Sequence, residues 1–325
     1  MRRRLFLGID GGGSKTDFVL VDRNGRFAAS YAGGSSYHLQ AGIEGVREVL
    51  AGGLAALFRQ AGIDGEAIAY AFFGLPGYGE DSKAQVLLDA MPAPLIGHHR
   101  YRCGNDMICA WAGSLGGADG INIVAGTGSI GYGERRGRTA RAGGWGEMFG
   151  DEGSAYWVAV KGLNAFTRMS DGRLPKGPLH AIFRESLGLR DDLDLCAKLM
   201  NAHTREDIAA LSQLVTRAAR DGDICAIRIF DDAAQELAAI VAAVRQALEF
   251  GRDEPVPFSY SGGLFKAGTL ILDPLKRELE GQSGNYHLQP PMFTPGIGAA
   301  IYAARLAGQP FSAATLRLLE ARSQD

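Results

Sequence analysis

Asp10 is the first residue whose surroundings suggest chemistry. It precedes Gly11, Gly12, Gly13, Ser14, Lys15 and Thr16 inside LFLGIDGGGSKTDFVLVD, residues 5–22. Glycines carry no Cβ, so their backbone N–H groups can curl into a concave anion site, and Ser14 and Thr16 can add hydroxyl donors. A carboxylate at the mouth of such a site repels phosphate unless a hard cation such as Mg²⁺ lies between them. Two readings therefore stand at this point: a turn that holds a metal-bound nucleotide, and an aspartate that merely closes a glycine turn.

Further along, Gly104-Asn105-Asp106 places a second carboxylate where a short strand gives way to a helix. Open α/β sheets bind ligands at that edge, so Asp106 is the first candidate for catalysis; the alternative is an ordinary helix N-cap. Gly126-Thr127-Gly128-Ser129 forms a second glycine turn. In GGWGEMFGDEGSAYW, residues 143–157, Trp145 can stack on the apolar face of a sugar ring, while Asp151 or Glu152 can accept hydrogen bonds from hydroxyls. Asp151 can equally cap the helix that follows. Ser261-Gly262-Gly263, between a strand and a helix expected from about Leu264, lets backbone approach a flat group such as adenine or ribose.

The elements that position these residues follow from periodicity. Leu5, Leu7 and Ile9 read as one strand and residues 16–22 as another, so the glycines close a β-hairpin. A hairpin excludes the dinucleotide fingerprint and the Walker loop, which both run into a helix; a Walker loop also needs Lys directly after its last Gly. Residues 26–31 supply a third antiparallel strand, 39–61 a helix, 68–73 a buried strand, 81–91 a helix and 100–103 a short strand. The pattern then restarts with strands at 120–125, 130–134 and 138–142 around the second glycine turn. This points to a duplicated fold whose half-sites face a cleft. Residues 157–250 read as largely helical, 257–261 as a strand, and Gly296-Ile297-Gly298-Ala299-Ala300 as the start of a small-residue helix suited to close packing at a hinge.

The chain has 325 residues, enough for two domains, with 46% hydrophobic and 22% charged content, ordinary for a soluble globular protein. A net charge of -2 gives no electrostatic footprint for nucleic acid, and Arg2-Arg3-Arg4 reads as a solvated end. The apolar run after it is cut by Asp10, unlike a secretory signal, and no stretch is long enough to span a membrane. Cys103, Cys109, Cys196 and Cys225 form no CxxC pair and read as reduced core thiols of a cytoplasmic protein; the six histidines suggest no zinc site.

With these pieces placed, the chain resembles the N-acetylglucosamine kinase branch of the BadF/BadG-type ATPase family, within the sugar kinase, Hsp70 and actin superfamily. IDGGGSKTDFVLVD, the Asp106 strand end, AGTGS at 125–129, GGWGEMFGDEGSAYW, SGG at 261–263 and GIGAA at 296–300 carry the resemblance, which covers nearly the whole chain. It implies an α/β fold of two ribonuclease-H-like domains around a nucleotide cleft. The first would comprise residues 1–118 plus a C-terminal helix at about 296–325, and the second 119–295 with a helical insertion.

The resemblance also implies roles. Asp10 and residues 11–16 would hold Mg²⁺ and the phosphates of ATP, with Asp106 sharing the metal through water. Gly126 to Ser129 would hold phosphate from the other domain, and Ser261 to Gly263 would face adenosine. Asp106 would take the proton of the sugar 6-hydroxyl. Tyr37, His38, Thr127, Gly128, Trp145, Asp151, Glu152 and Ser154 would line the pocket for a small amino sugar, in a cytoplasmic homodimer with no nucleic-acid or membrane partner. Relatives have Asn where this chain has Tyr37, in the run Ser35-Ser36-Tyr37-His38, so N-acetylglucosamine and glucosamine both stand as substrates. Two other classes have related folds. Activators of radical dehydratases bridge an iron–sulfur cluster with cysteines, for which the spacing here offers no pair. Sugar-sensing regulators carry a DNA-binding domain ahead of the first strand, which here begins at about Leu5.

Overall fold

The structure, a computed structural model, describes residues 5–200, 204–282 and 285–323, so the Arg2-Arg3-Arg4 cluster lies outside the described residues. The chain forms two compact units, one from the chain up to Asp119 together with that from Pro290 onward, the other from Gly120 to Gln289.

In the first unit, β1 (Leu5–Gly11), β2 (Thr16–Asp22) and β3 (Phe27–Gly33) form an antiparallel meander. Then come α1 (His38–Ala61), β4 (Ile68–Leu75), α2 (Ser82–Ala90), α3 (Pro92–Ile96), β5 (Tyr101–Asn105) and α4 (Met107–Leu115). The five-stranded sheet runs β3-β2-β1-β4-β5, with β4 and β5 parallel to β1. Val46, Leu50, Leu54 and Leu57 recur at helical spacing and bury α1 against the sheet, each such side chain worth about 1.5–3 kcal/mol of burial. The helix is not continuous as its periodicity suggested: Gly42, at φ 69° and ψ 169°, breaks its first turn.

The second unit repeats the plan. The meander β6 (Gly120–Ala125), β7 (Ser129–Arg135) and β8 (Arg138–Gly143) is followed by helices α5 (Ala155–Ser170), α6 (Pro178–Ser186), α7 (Asp194–Met200), α8 (Arg205–Ala210), α9 (Ser212–Arg220) and α10 (Ile224–Ala247). Strand β9 (Val256–Ser261), helix α11 (Thr269–Gly281) and strand β10 (Tyr286–Leu288) complete a sheet in the order β10-β9-β6-β7-β8. Helix α10 buries Ile229, Phe230, Ala233, Leu237, Val241 and Val244 along one face and forms the spine of this core.

The chain then returns to the first unit as α12 (Pro295–Leu306) and α13 (Ala313–Ser323). Gly296, Gly298, Ala299 and Ala300 are all buried, and their small size lets α12 lie close against β1 and α4. Tyr302 anchors it edge-on between the rings of Phe72 and Trp111. No described helix is long and apolar enough to cross a membrane.

Candidate functional site

In the first unit, β1 delivers Asp10 to the carboxyl edge of the sheet, and Gly11 and Thr16 pair at the base of the turn. Gly11 has to be glycine: a Cβ there would meet Ser36 Oγ, Pro76 Cδ at 2.8 Å and Gly74 O at 2.9 Å. Gly12 and Gly13 are half-buried, and Ser14 and Lys15 are exposed, with Lys15 Nζ 2.6 Å from Asp17. Thr16 corrects the sequence reading. It is wholly buried, and Oγ1 lies 2.8 Å from Gly34 O and 2.9 Å from Ser36 Oγ, so it braces the loop after β3 and offers nothing to a phosphate. Ser35 adds a second brace through its hydroxyl to Gly12 O at 3.1 Å.

Asp10 faces Gly74 of β4, which in turn faces Gly104 of β5; Asp106 follows at the end of β5. Asp106 Cα comes within 3.4 Å of where a Cβ on Gly74 would stand, so the two carboxylates share one edge of the sheet. Burial above all, then the charges of Asp106 and Asp17, hold the Asp10 carboxyl well above the usual range, while the Cys109 thiol and Lys15 oppose. Burial likewise pushes Asp106 up to about 6, with the amides of Asp106 and Met107 opposing and Glu80 adding to the rise.

The alternative in which Asp106 caps α4 fails. Its side chain makes no capping hydrogen bond. The Met107 N–H instead donates to Asn105 Oδ1 at 3.1 Å, and Asn105 Nδ2 donates to Tyr78 O at 3.3 Å. Asn105 does the capping, which leaves Asp106 available for chemistry. The sequence signal was an Asn immediately before an Asp at a helix start.

Tyr37 is half-buried on the loop that Ser35 ties to the glycine turn, its N–H bonding Ser35 Oγ at 3.2 Å. His38 is buried beside it, and neither of its ring nitrogens has a hydrogen-bond partner among the described residues. The rings of Tyr37 and His38 and the carboxylate of Glu80 all close on Gly77.

In the second unit, Gly126 N–H donates to Gly128 O at 2.9 Å and tightens the second glycine turn. Ser129 is buried, its N–H bonding Asp151 Oδ1 at 3.3 Å and its hydroxyl donating to Glu152 O at 2.7 Å, so its polar groups hold its own loop together. Asp151 is 2% exposed and sits at φ 57°. It does not cap α5: Ser154 does, accepting from Trp157 N–H at 3.1 Å. Ser154 is wholly buried, its hydroxyl engaged in that cap. Burial raises the Asp151 carboxyl and Arg205 is the main opposing influence.

Arg205 was missed by sequence reading. Its Nη2 pairs with Asp151, and its Nε lies 3.1 Å from Glu147 Oε2, close enough for an ion pair but without hydrogen-bond geometry. Trp145 is 69% exposed, with the Arg141 guanidinium 5.9 Å from its ring centroid.

Ser261 Oγ accepts from Asn122 Nδ2 at 3.1 Å. Gly262 takes φ 106°, and a Cβ there would strike Ala125 O, so this turn folds onto the base of the Gly126 turn. The expected helix from Leu264 is a 3-10 turn, Gly263–Ala267, and regular helix begins only with α11. The cysteines also need correcting: Cys103 and Cys109 are core thiols, Cys225 is half-buried and Cys196 is exposed.

Two mixed sheets built to one plan, each with a glycine turn beside its first strand, define the actin-like ATPase fold. N-acetyl-D-glucosamine kinase of Dictyostelium discoideum is 29% identical over 314 residues, 93% of this chain and 98% of that protein. N-acetylmuramic acid/N-acetylglucosamine kinase of Clostridium acetobutylicum is 30% identical over 276 residues, 84% of this chain and 89% of that protein. A crystal structure from Chromobacterium violaceum, provisionally described as an N-acetylglucosamine kinase, superposes with a TM-score of 0.75 at 29% identity, over 94% of this chain and 100% of that one. The chain belongs to the BadF/BadG/BcrA/BcrD ATPase family, which matches residues 7–303.

Proposed function

We propose that this protein, an ATP-dependent sugar kinase, transfers the γ-phosphoryl group of ATP to the 6-hydroxyl of an amino sugar, with N-acetylglucosamine as the substrate. The observation that carries the reading is Asp106, a carboxylate at the sheet edge whose capping duty is taken by Asn105 and whose pKa is pushed up to about 6. Such a group is ionised at neutral pH and basic enough to orient and deprotonate a hydroxyl.

Phosphoryl transfer asks a protein mainly for alignment and charge neutralisation. Asp106 would receive the 6-hydroxyl proton as that oxygen attacks. Residues 11–15 of the first unit and Thr127 and Gly128 of the second would donate backbone N–H groups to phosphate oxygens, with Gly126 letting the phosphate approach the turn, and Gly262 and Gly263 would lie along the adenosine. Trp145 would stack on the sugar ring, with Tyr37, His38, Thr127, Asp151 and Glu152 shaping its surroundings.

Asp10 and Asp106 suit Mg²⁺: both are hard oxygen donors, and each lies among like charges that a cation would offset, Asp106 and Asp17 around Asp10 and Glu80 near Asp106. Two carboxylates rather than a full cage fit an ion that keeps several waters and leans on the nucleotide phosphates. When bound, Mg²⁺ would offset the charge of the phosphates. We further propose a cytoplasmic homodimer, supported by the family resemblance; a sedimentation mass near 34.5 kDa rather than twice that would remove the dimer.

The decisive experiment measures ADP release with Mg²⁺–ATP against N-acetylglucosamine, glucosamine, N-acetylmannosamine, N-acetylmuramic acid and glucose, for wild type and Asp106→Asn. Stimulation by N-acetylglucosamine that is lost in the variant, by about 10²–10⁴-fold, is the expected result. Stimulation by glucosamine alone would move the substrate to the unacetylated sugar and make Tyr37 the reason. Near-normal phosphorylation by Asp106→Asn would remove the proposed base.

A further inference from the structure

The second glycine turn contains no cation and adjoins two carboxylates. Gly126 and Ser129 spend their N–H groups on Gly128 O and Asp151, while those of Thr127 and Gly128 have no partner among the described residues. Those two amides are what the turn can offer an anion. Asp151 is buried directly behind it, and Glu147 approaches from the neighbouring loop. A phosphate arriving here would meet like charge at close range in a poorly solvated place, where repulsion is strongest.

Arg205 answers that charge. It opens α8, where Thr204 and Asp207 form a reciprocal capping box that fixes its backbone. Its Nη2 pairs with Asp151 and its Nε lies 3.1 Å from Glu147. The pair also presses on the turn: a Cβ on Gly128 would lie 2.7 Å from Arg205 Nη2 and 2.8 Å from Asp151 Oδ2. One guanidinium, delivered from 54 residues away in sequence, thus screens both acids and backs the turn against which a phosphate would lie.

We propose that Arg205 is a positioning residue for nucleotide phosphates: by neutralising Asp151 against the Gly126–Ser129 turn, it makes that turn able to accept polyphosphate charge. The inference rests on the reading of this turn as a phosphate site, and it places the effect of Arg205 on Asp151 rather than on the nucleotide itself.

The test measures equilibrium binding of adenosine, ADP and ATP with Mg²⁺, without sugar, to wild type, Arg205→Met, Asp151→Asn/Arg205→Met and Gly126→Ala. Arg205→Met should weaken ATP about tenfold or more, ADP less and adenosine within about twofold, because the penalty scales with phosphate charge. The double variant, which removes the buried Asp151 together with Arg205 and leaves only the more exposed Glu147, should bring ATP back to within about threefold of wild type. Equal weakening of adenosine and ATP would mean that Arg205 only holds the fold, and the proposal falls. An unrestored double variant would also overturn it, since Arg205 would then act on phosphate directly; this comparison decides the matter even if Arg205→Met does not fold. Gly126→Ala isolates the underlying reading, because its added methyl meets nothing in the protein nearer than Gly263 N at 3.9 Å and costs only where a ligand lies. ATP weakened by Gly126→Ala but not by Arg205→Met overturns the role of Arg205 alone. ATP weakened by neither overturns the phosphate turn as well.

Discussion

Asp106 raises the carboxyl of Asp10 across Gly74: the two acids flank β4 at one sheet edge, and each is held above the usual carboxylate range chiefly by burial. The chemistry proposed for this edge needs both acids charged, while the fold by itself favours their neutral forms.

The pH profile follows from Asp106. A general base works when ionised, so kcat/KM for Mg²⁺–ATP should fall with unit slope as pH drops through about 6, the value to which burial pushes this group in the metal-free protein. The profile of kcat should break at lower pH, because a bound cation favours the charged form. Initial rates between pH 5 and 8 check this, and a flat profile would separate Asp106 from the proton transfer.

Stability should run the other way. Asp106 has a folded pKa of about 6 against an ordinary 3.8, so the folded protein holds its proton more tightly. That contribution is fully present below pH 3.8 and is lost as pH rises through 6. Asp106→Asn should therefore stabilise the ligand-free protein at pH 7 by about 1–3 kcal/mol, and the gain should shrink toward pH 4. Thermal melts at both pH values measure it.

Asn105 guards the base. Asn105→Ala removes the acceptor for Met107 N–H and should cost about 1 kcal/mol, the usual price of a lost cap. It also allows Asp106 to turn toward the vacated amide, so kcat should fall about tenfold beyond any stability effect. Asn105→Ser, which keeps a capping oxygen, should recover most of both losses in melting and steady-state assays.

Trp145 separates binding from folding. At 69% exposure its ring contributes little to the core, so Trp145→Ala should shift stability by no more than about 0.5 kcal/mol. Loss of stacking should raise the KM for the sugar about tenfold and leave ATP affinity unchanged. An unaltered KM would remove Trp145 from the sugar site.

The local features of this protein were written in its sequence. Alternation in residues 5–9 and 16–22 gave the first hairpin, its repeat around Gly126 gave the second, and helical spacing marked α1 and α10, because backbone preference and one-sided burial act over a few residues. Asp10 and Asp106 could be singled out because a carboxylate at a strand end is informative by position alone. Tertiary structure decided which polar groups are spent and which are free. Whether Asn105 or Asp106 caps α4 depends on Tyr78 holding Asn105 in place. Thr16 looks like a donor in a motif, yet packing buries it as a brace, and Ser154, which the resemblance sets in the pocket, is buried as the cap of α5. Arg205 reaches Asp151 across 54 residues, a separation that no local pattern records, because such a contact is set by how helices stack and not by the residues on either side.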